Sequence, residues 1–172
     1  GMLGNDRYGD CGAAGFVHGC EADATVTHLK ETWPTEQQVI DGYLQYSNGQ
    51  DSGVVLSDFL KYIHAQQNGF CGHTVAAYAP VNHQSIKMMH TGIWMFDFLY
   101  TGIVVTQDMM VAAQSGKPWT LNELSSPVVG GHCIPIVGYD EHWLYAITWG
   151  AVQQISYPAW SMIADEAWAV IT

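Results

Sequence analysis

The sequence predicts an α+β protein in which helices come first and an antiparallel sheet follows. Apolar residues recur at helical spacing through much of the first half of the chain. The last third consists instead of short apolar runs separated by turns, which is typical of antiparallel strands. The chain has 172 residues, of which 48% are hydrophobic and 12% charged. Such a chain is large and apolar enough to bury a core, and we expect residues 1–172 to form a single domain.

Capping residues mark the starts of the first helices. Asp10 supplies a capping carboxylate before the first helix, which therefore opens at its cysteine neighbour. Thr35 and Gln38 have the spacing of a capping box and open the second helix. Ser57 is placed to cap the third helix. The predicted ranges are 11–24, 36–46 and 58–67.

The strands follow in the second part of the chain. The near-continuous apolar run over 132–139 predicts a strand that is buried on both faces. Residues 107–129 contain a glycine and two prolines, and we predict a long irregular loop there. The other predicted strands are 74–80, 101–106, 143–149, 153–156 and 167–171, with helical segments at 82–90 and 158–166.

The charge of the chain restricts its partners. Five basic and sixteen acidic side chains give a formal net charge of −11, which argues against binding to nucleic acid or to an anionic membrane surface. No apolar run reaches the roughly 18 residues that a membrane span needs, so we expect no membrane insertion. No signal peptide is seen in this sequence, and we expect a cytoplasmic or phage-associated location. The sequence does not determine the oligomeric state.

The four cysteines do not form a recognisable disulfide framework or zinc site. Cys11, Cys20, Cys71 and Cys133 include no Cys-x-x-Cys pair, and the histidines nearby lack the usual ligand spacings. A reducing compartment fits this pattern, although one disulfide bridge stays open. We predict no metal and no cofactor, and a structural role for all of these cysteines except Cys11.

Cys11 and His132 have the chemistry of thiol catalysis. Cys11 opens a predicted helix, whose N-terminal partial positive charge favours a thiolate. His132 opens a predicted strand far along the chain and is a candidate base. Asn5, six residues before Cys11, is a candidate second oxyanion donor beside the Cys11 backbone N–H. His18, two turns after Cys11, either lines the same cleft or packs in the core.

These segments resemble papain-like cysteine peptidases. Asn5 and Gly9, six and two residues before Cys11, match the amide and glycine positions of the papain-like pattern. A weaker resemblance links the chain to uncharacterised cysteine-peptidase-like proteins of actinobacteria and their phages. Two further segments carry the resemblance: Asp10-Cys11-Gly12-Ala13-Ala14, which is similar to the Asp-Cys-Gly motif of bacteriocin double-glycine leader peptidases, and Gly131-His132 with Ile136-Val137-Gly138-Tyr139 and then Thr148-Trp149-Gly150, which is similar to the papain-like histidine block.

The resemblance implies a papain-like fold, with a helical half that carries the cysteine and a sheet half that carries the histidine. It implies Cys11 as the nucleophile, His132 as general base and acid, and Asn5 as an oxyanion donor. The implied activity is hydrolysis of amide bonds in a peptide or protein substrate through an acyl-enzyme, without a cofactor. It also implies a bacterial or phage-associated protein.

The third catalytic position departs from the family pattern. An asparagine or aspartate is expected there, and the two possible alignments place Ile147 or Thr148 at this point. We choose Thr148, whose hydroxyl is able to orient the imidazole. Asp140, or a dyad without a third residue, stays open. A non-catalytic binding or structural module on the same fold, and a peptidoglycan amidase or acyltransferase, are the alternative functions.

Overall fold

The helices precede most of the sheet along the chain, as the sequence predicts. The structure is a computed structural model that describes residues 1–28 and 32–172. No helix within this part of the chain combines the length and the apolar character needed to cross a membrane. The helices are α1 (Cys11–Thr27), α2 (Glu36–Tyr46), α3 (Leu56–Ala65), α4 (Ile86–Phe96), α5 (Gln107–Gln114) and α6 (Tyr157–Ile163). The strands are β1 (Ala77–Pro80), β2 (Leu99–Thr106), β3 (Val128–Tyr139), β4 (Trp143–Thr148), β5 (Ala151–Ser156) and β6 (Ala164–Ile171).

The six strands form one sheet in the order β1-β6-β2-β3-β4-β5, and each neighbouring pair is antiparallel. β3 lies between β2 and β4: it pairs with β2 from Val128 to Ile136 and with β4 from Ile136 to Tyr139. In the β2–β3 ladder, Ile103 lies opposite His132 and Gly102 lies opposite Cys133. The candidate histidine therefore belongs to a central strand of the sheet.

Two hydrophobic clusters cover the two faces of the sheet. Alternation along β2 sends successive side chains to opposite faces, so Tyr100 joins the first cluster and Leu99 joins the second. The first cluster contains buried residues of α1, α2 and α3, and the second contains buried residues of α4, α5 and α6. The large buried side chains of the first are Phe16, Tyr43, Phe59, Phe98 and Tyr100, and those of the second are Trp119, Trp160, Met89 and Met109.

Helix α1 is buried on almost all sides at its N-terminal half, where residues 12–20 are buried without interruption. Gly15 allows the close approach of α1 to β3, because a Cβ atom at this position would lie only 3.0 Å from Cys133 Sγ. The Tyr100 hydroxyl of β2 donates a buried hydrogen bond of 2.9 Å to the Gly12 carbonyl. Both contacts fix the first turn of α1, and with it Cys11, against the middle of the sheet.

The predicted loop over 107–129 is wrong. The segment begins with α5 and contains a turn of 3-10 helix at Leu121–Leu124. Thr106 caps α5 by accepting a hydrogen bond from the Met109 N–H, and Thr120 forms a capping box with Glu123 at the 3-10 turn. The glycine and the prolines of this segment lie between or after these short elements, so they separate them without preventing them.

Helix starts follow the predicted capping chemistry in one case and not in two others. The capping box of Thr35 and Gln38 is confirmed, with both reciprocal hydrogen bonds present. Ser57 is not the cap of its helix, because α3 begins one residue earlier and its N-cap is Val55. The prediction that the Asp10 carboxylate caps α1 is also wrong. Asp10 occupies the N-cap position, but its side chain makes no capping hydrogen bond.

Candidate active site

Cys11 and His132 line the same narrow crevice between α1 and the sheet. Its volume is about 10 Å³, which is room for about one water molecule. A hydrogen bond from the backbone of Cys133 reaches the Cys11 thiol, so the sulfur lies directly beside the residue that follows His132. The other walls are Met2, Asn5, Ala14, Gly15, His18, Ile147, Thr148 and Trp149.

The His132 ring is held on one edge and one face. Its Nε2 atom lies 2.8 Å from the Thr148 hydroxyl oxygen. Trp149 stacks on the ring, with 4.7 Å between ring centroids and 17° between planes. Trp119, which is fully buried, contacts Trp149 edge-on at 6.1 Å. With Nε2 engaged by Thr148, Nδ1 is the ring nitrogen that remains for a proton from Cys11.

A tight hairpin turn between β4 and β5 places both partners of the imidazole. Thr148 pairs with Ala151 across the turn, and Trp149 and Gly150 form its corner with φ angles of +45° and +75°. Two consecutive residues with positive φ are typical of a type I′ turn, which matches the twist of antiparallel strands. The turn therefore places the Thr148 hydroxyl and the Trp149 indole, from adjacent residues, in contact with the His132 ring.

Burial makes the uncharged thiol and the uncharged imidazole the resting pair. Burial raises the pKa of the Cys11 thiol, and the nearby charge of Asp10 raises it further, while the hydrogen bond from the Cys133 backbone acts in the opposite direction. Burial also lowers the pKa of His132 to about 4. A neutral imidazole is the form that accepts a proton, so His132 is available as a base over most of the pH range.

A larger pocket adjoins the crevice. It has a volume of about 430 Å³, and Asn5, Thr148 and Trp149 line both cavities, as does Met2. Asn5 thus lies at the junction of the two cavities. The remaining walls of the larger pocket are Asp6, Met110, Ala113, Gln114, Ala151 and Gln153.

Of the remaining candidate residues, His18 lines the crevice and Asp140 does not. His18 also pairs through Nδ1 with Glu21 at 2.9 Å, so both interpretations of this histidine hold in part. Asp140 is committed to the β3–β4 turn, where its carboxylate accepts hydrogen bonds from Tyr145 and from two backbone N–H groups. Between Thr148 and Asp140, the structure places only Thr148 on the imidazole.

Within residues 1–28 and 32–172, no group of three or more His, Cys, Asp or Glu side chains is arranged to hold a metal ion.

Two solved structures with the same architecture are cysteine proteases. Xylellain, a cysteine protease from Xylella fastidiosa, matches 96% of this chain over 80% of its own, with a TM-score of 0.74 and 15% identity. The Carica candamarcensis cysteine protease CMS1MS2 matches 96% of this chain over 89% of its own, with a TM-score of 0.58 and 12% identity. The chain has a papain-like fold. No protein-family model and no curated protein matches the sequence.

The predicted fold class is thereby confirmed: a papain-like α+β architecture with a helical N-terminal half and an antiparallel sheet in the C-terminal half. In this papain-like chain, α1 carries Cys11 and β3 carries His132. At 12–15% identity the likeness concerns the fold, and the chemistry of the site is argued from its own residues.

The sequence analysis did not predict the part of the site that is formed by α5 and by Trp119 in the segment after it. Met110 and Ala113 line the larger pocket, and Trp119 supports Trp149 from behind. All three fall in the segment predicted as a loop. The signal that was present is Trp119 itself, since a large aromatic side chain between Pro118 and Thr120 is unusual in a solvated loop and indicates an anchor in the core.

Proposed function

We propose that this protein is a papain-like cysteine peptidase, with Cys11 as the nucleophile and His132 as its base. The observation that carries the proposal is the shared crevice, in which the backbone of Cys133 contacts the Cys11 thiol and Thr148 engages Nε2 of His132. A thiol and an imidazole that share a crevice, with one ring nitrogen held by a third group, match the general arrangement for nucleophilic catalysis.

The first step is attack of Cys11 Sγ on a substrate carbonyl carbon while His132 Nδ1 takes the thiol proton. The carbonyl oxygen then carries negative charge. As the first residue of α1, Cys11 has a backbone N–H without a partner inside the helix, and this group donates to the oxyanion. The Asn5 side-chain amide, at the junction of the two cavities, is the second donor.

The second step is collapse of the intermediate to a thioester. The imidazolium of His132 gives its proton to the leaving amine, which departs with its part of the substrate. A water molecule then attacks the thioester carbonyl carbon while His132 takes a proton from it. The acid product leaves, and the proton returns to the Cys11 sulfur, which restores the free thiol. Thr148 holds the ring in one orientation through both proton transfers, and Trp149 excludes water from one ring face.

The larger pocket lies on the leaving-group side of this reaction. Thr148 and Trp149 flank the imidazole that protonates the leaving amine, and the same two residues line the larger pocket. A side chain of the released half of the substrate is therefore its natural occupant. Met2, Met110 and Ala113 give the pocket apolar walls, which favour an apolar side chain.

The test is active-site labelling at pH 6 with a vinyl-sulfone peptide or iodoacetamide, read by peptide mass mapping. We expect Cys11 to react faster than Cys71, a partly exposed cysteine whose thiol pKa burial raises to about 11. Cleavage of a peptide library should disappear in Cys11→Ala and His132→Ala. The matched control, Cys71→Ala, should keep it.

Two outcomes would contradict the proposal. Equal labelling of Cys11 and Cys71 in the folded protein would show that Cys11 is not activated, which favours a non-catalytic module. Selective labelling of Cys11 without cleavage of any library peptide, but with release of amide-linked peptides from cell-wall fragments, would keep the chemistry and assign a peptidoglycan amidase.

A further inference from the structure

Asp10 is a buried acid that the proposed mechanism does not use. Its side chain is 0% exposed and directly precedes Cys11. Neither carboxyl oxygen has a hydrogen-bond partner among the described residues of the chain. A carboxylate at a helix N-cap is normally stabilised by backbone N–H groups and by the helix dipole, but this one makes no capping bond. The environment therefore offers little compensation for a negative charge.

The surroundings of Asp10 are apolar on one side and acidic on the other. A Cβ atom at Gly4 would lie 2.5 Å from Asp10 Oδ2 and 2.6 Å from Ile40, so the carboxyl packs against the Gly4 backbone and near the Ile40 side chain. Burial raises the pKa of Asp10 to about 7, and the residue's own backbone N–H acts in the opposite direction. Three carboxylates add to the increase: Asp51, Asp6 and Glu36.

The neighbouring charged and titratable groups do not cancel this effect. From the N-terminal segment, Arg7 pairs with Asp6 and with Glu36 of α2, and all three side chains are about half exposed. From the loop that follows α2, Asp51 accepts hydrogen bonds from the Gly9 N–H and the Tyr43 hydroxyl. On α1 itself, the group closest in sequence is the Cys11 thiol.

We infer that Asp10 is a positioning residue for the Cys11 thiol that works as a neutral carboxylic acid, and that its ionisation opposes formation of the thiolate and lowers the activity on the alkaline side. This inference rests on the proposed role of Cys11 as nucleophile. The physical link is short-range: a charge on the residue before Cys11 opposes a second charge on the sulfur and raises the thiol pKa. Below the Asp10 midpoint the carboxyl is neutral and this opposition vanishes. Above the midpoint it is present in full.

The experiment compares the wild type with Asp10→Asn, which keeps the shape of the side chain but never ionises. The matched control is Asp41→Asn, which removes an exposed carboxylate of α2 that lines neither cavity and does not act on the Asp10 pKa. The rate constant for alkylation of Cys11 by iodoacetamide is measured from pH 5 to pH 9 by mass mapping. We expect the ratio of Asp10→Asn to wild type to be near one at pH 5 and about ten at pH 8.5, the factor that one pKa unit of the thiol produces.

For Asp41→Asn we expect a ratio near one throughout, because an exposed charge is screened by solvent. A flat ratio for a folded Asp10→Asn protein would overturn the inference. The wild type provides a second measurement that needs no variant: carbon NMR of the Asp10 carboxyl should show a titration midpoint of about 7. A midpoint near 4 would overturn it as well.

This design separates the inference from the proposed function. Alkylation reports on the Cys11 thiol without any substrate. A pH-dependent ratio in a protein that cleaves no peptide would support the role of Asp10 and contradict the peptidase proposal. If peptides are cleaved, kcat/KM should fall as the pH rises through about 7 in the wild type, and this alkaline fall should move to higher pH in Asp10→Asn.

Discussion

At the scale of single residues, Thr148 orients His132 through one hydroxyl group. A hydroxyl is smaller than an amide or a carboxylate and carries no charge, so it fixes the ring without stabilising an imidazolium electrostatically. The ring orientation relies in addition on the stack with Trp149. A carboxylate would both orient the imidazole and stabilise its charged form. In this site, Thr148 and Trp149 orient the ring without adding a negative charge beside it.

Replacing Thr148 by valine should lower kcat/KM for peptide cleavage about three- to tenfold. The change keeps the volume and removes one hydrogen bond, whose worth is about 0.5–1.5 kcal/mol. The matched control is Thr101→Val, because Thr101 is also buried and its hydroxyl also bonds to β3, at the Ile134 carbonyl. Loss of stability without loss of kcat/KM is expected for the control. Equal effects of both variants on kcat/KM would contradict a specific role of Thr148.

The acidic limb of the activity should lie near pH 4. Burial lowers the pKa of His132 to about 4, so the neutral base persists below the usual histidine range and is lost only as the pH falls through this value. The measurement is kcat/KM from pH 3 to pH 7. Trp149→Ala exposes the ring and should move the limb toward about 6.5, the ordinary histidine pKa. A limb near pH 6.5 in the wild type would contradict the prediction.

At the scale of elements, the site joins α1, β3, the β4–β5 turn and α5. The first three contain Cys11, His132 and Thr148, which the sequence analysis selected. Helix α5 lies in the segment that the sequence analysis predicted as a loop. The place of Cys11 was predictable from a helix start, and that of His132 from an apolar strand run. The prediction that His132 opens the strand is wrong, because β3 begins four residues earlier, at Val128.

The pocket wall from Met110 and Ala113 was not predictable, because α5 has only eight residues and its cap, Thr106, is also the last residue of β2. Such a short helix has little periodicity of its own.

Filling the larger pocket from α5 should weaken the binding of extended substrates. Ala113→Phe places a ring in the pocket, and we expect KM to rise roughly tenfold for peptides that continue beyond the scissile bond, since a buried apolar side chain contributes about 1–3 kcal/mol. Hydrolysis of an ester with a small leaving group should change little. The matched control is Val111→Phe on the exposed face of α5. A rise in KM for both the extended peptide and the ester would show that the pocket does not bind the leaving-group half of the substrate.

At the scale of the whole molecule, the excess of acidic side chains gives the protein a negative field. The formal charge of −11 should raise the local concentration of cationic substrates and lower that of anionic ones. The fold itself does not depend on this charge, which is why the α+β class followed from apolar patterning alone. The burial of the Asp10 carboxyl was beyond patterning, because it depends on how Gly4 and Ile40 pack against this side chain.

Salt should affect cationic and anionic peptides in opposite directions. Between 20 and 300 mM NaCl, kcat/KM should fall for a lysine-rich peptide and rise for a glutamate-rich peptide of the same length, because screening shortens the reach of the field to about 10 Å or less. A neutral peptide serves as the control. The same salt response for all three peptides would show that the net charge has no part in substrate selection.

The distance along the chain between Cys11 and the β4–β5 turn has a consequence for synthesis. On a ribosome, the thiol emerges early, whereas Thr148 and Trp149 emerge only after β3 and β4 have been made. Until then the imidazole has neither its hydroxyl partner nor its aromatic cover. We therefore expect nascent chains to carry an inert cysteine, so that hydrolytic capacity switches on only when translation has delivered the last turn of the site.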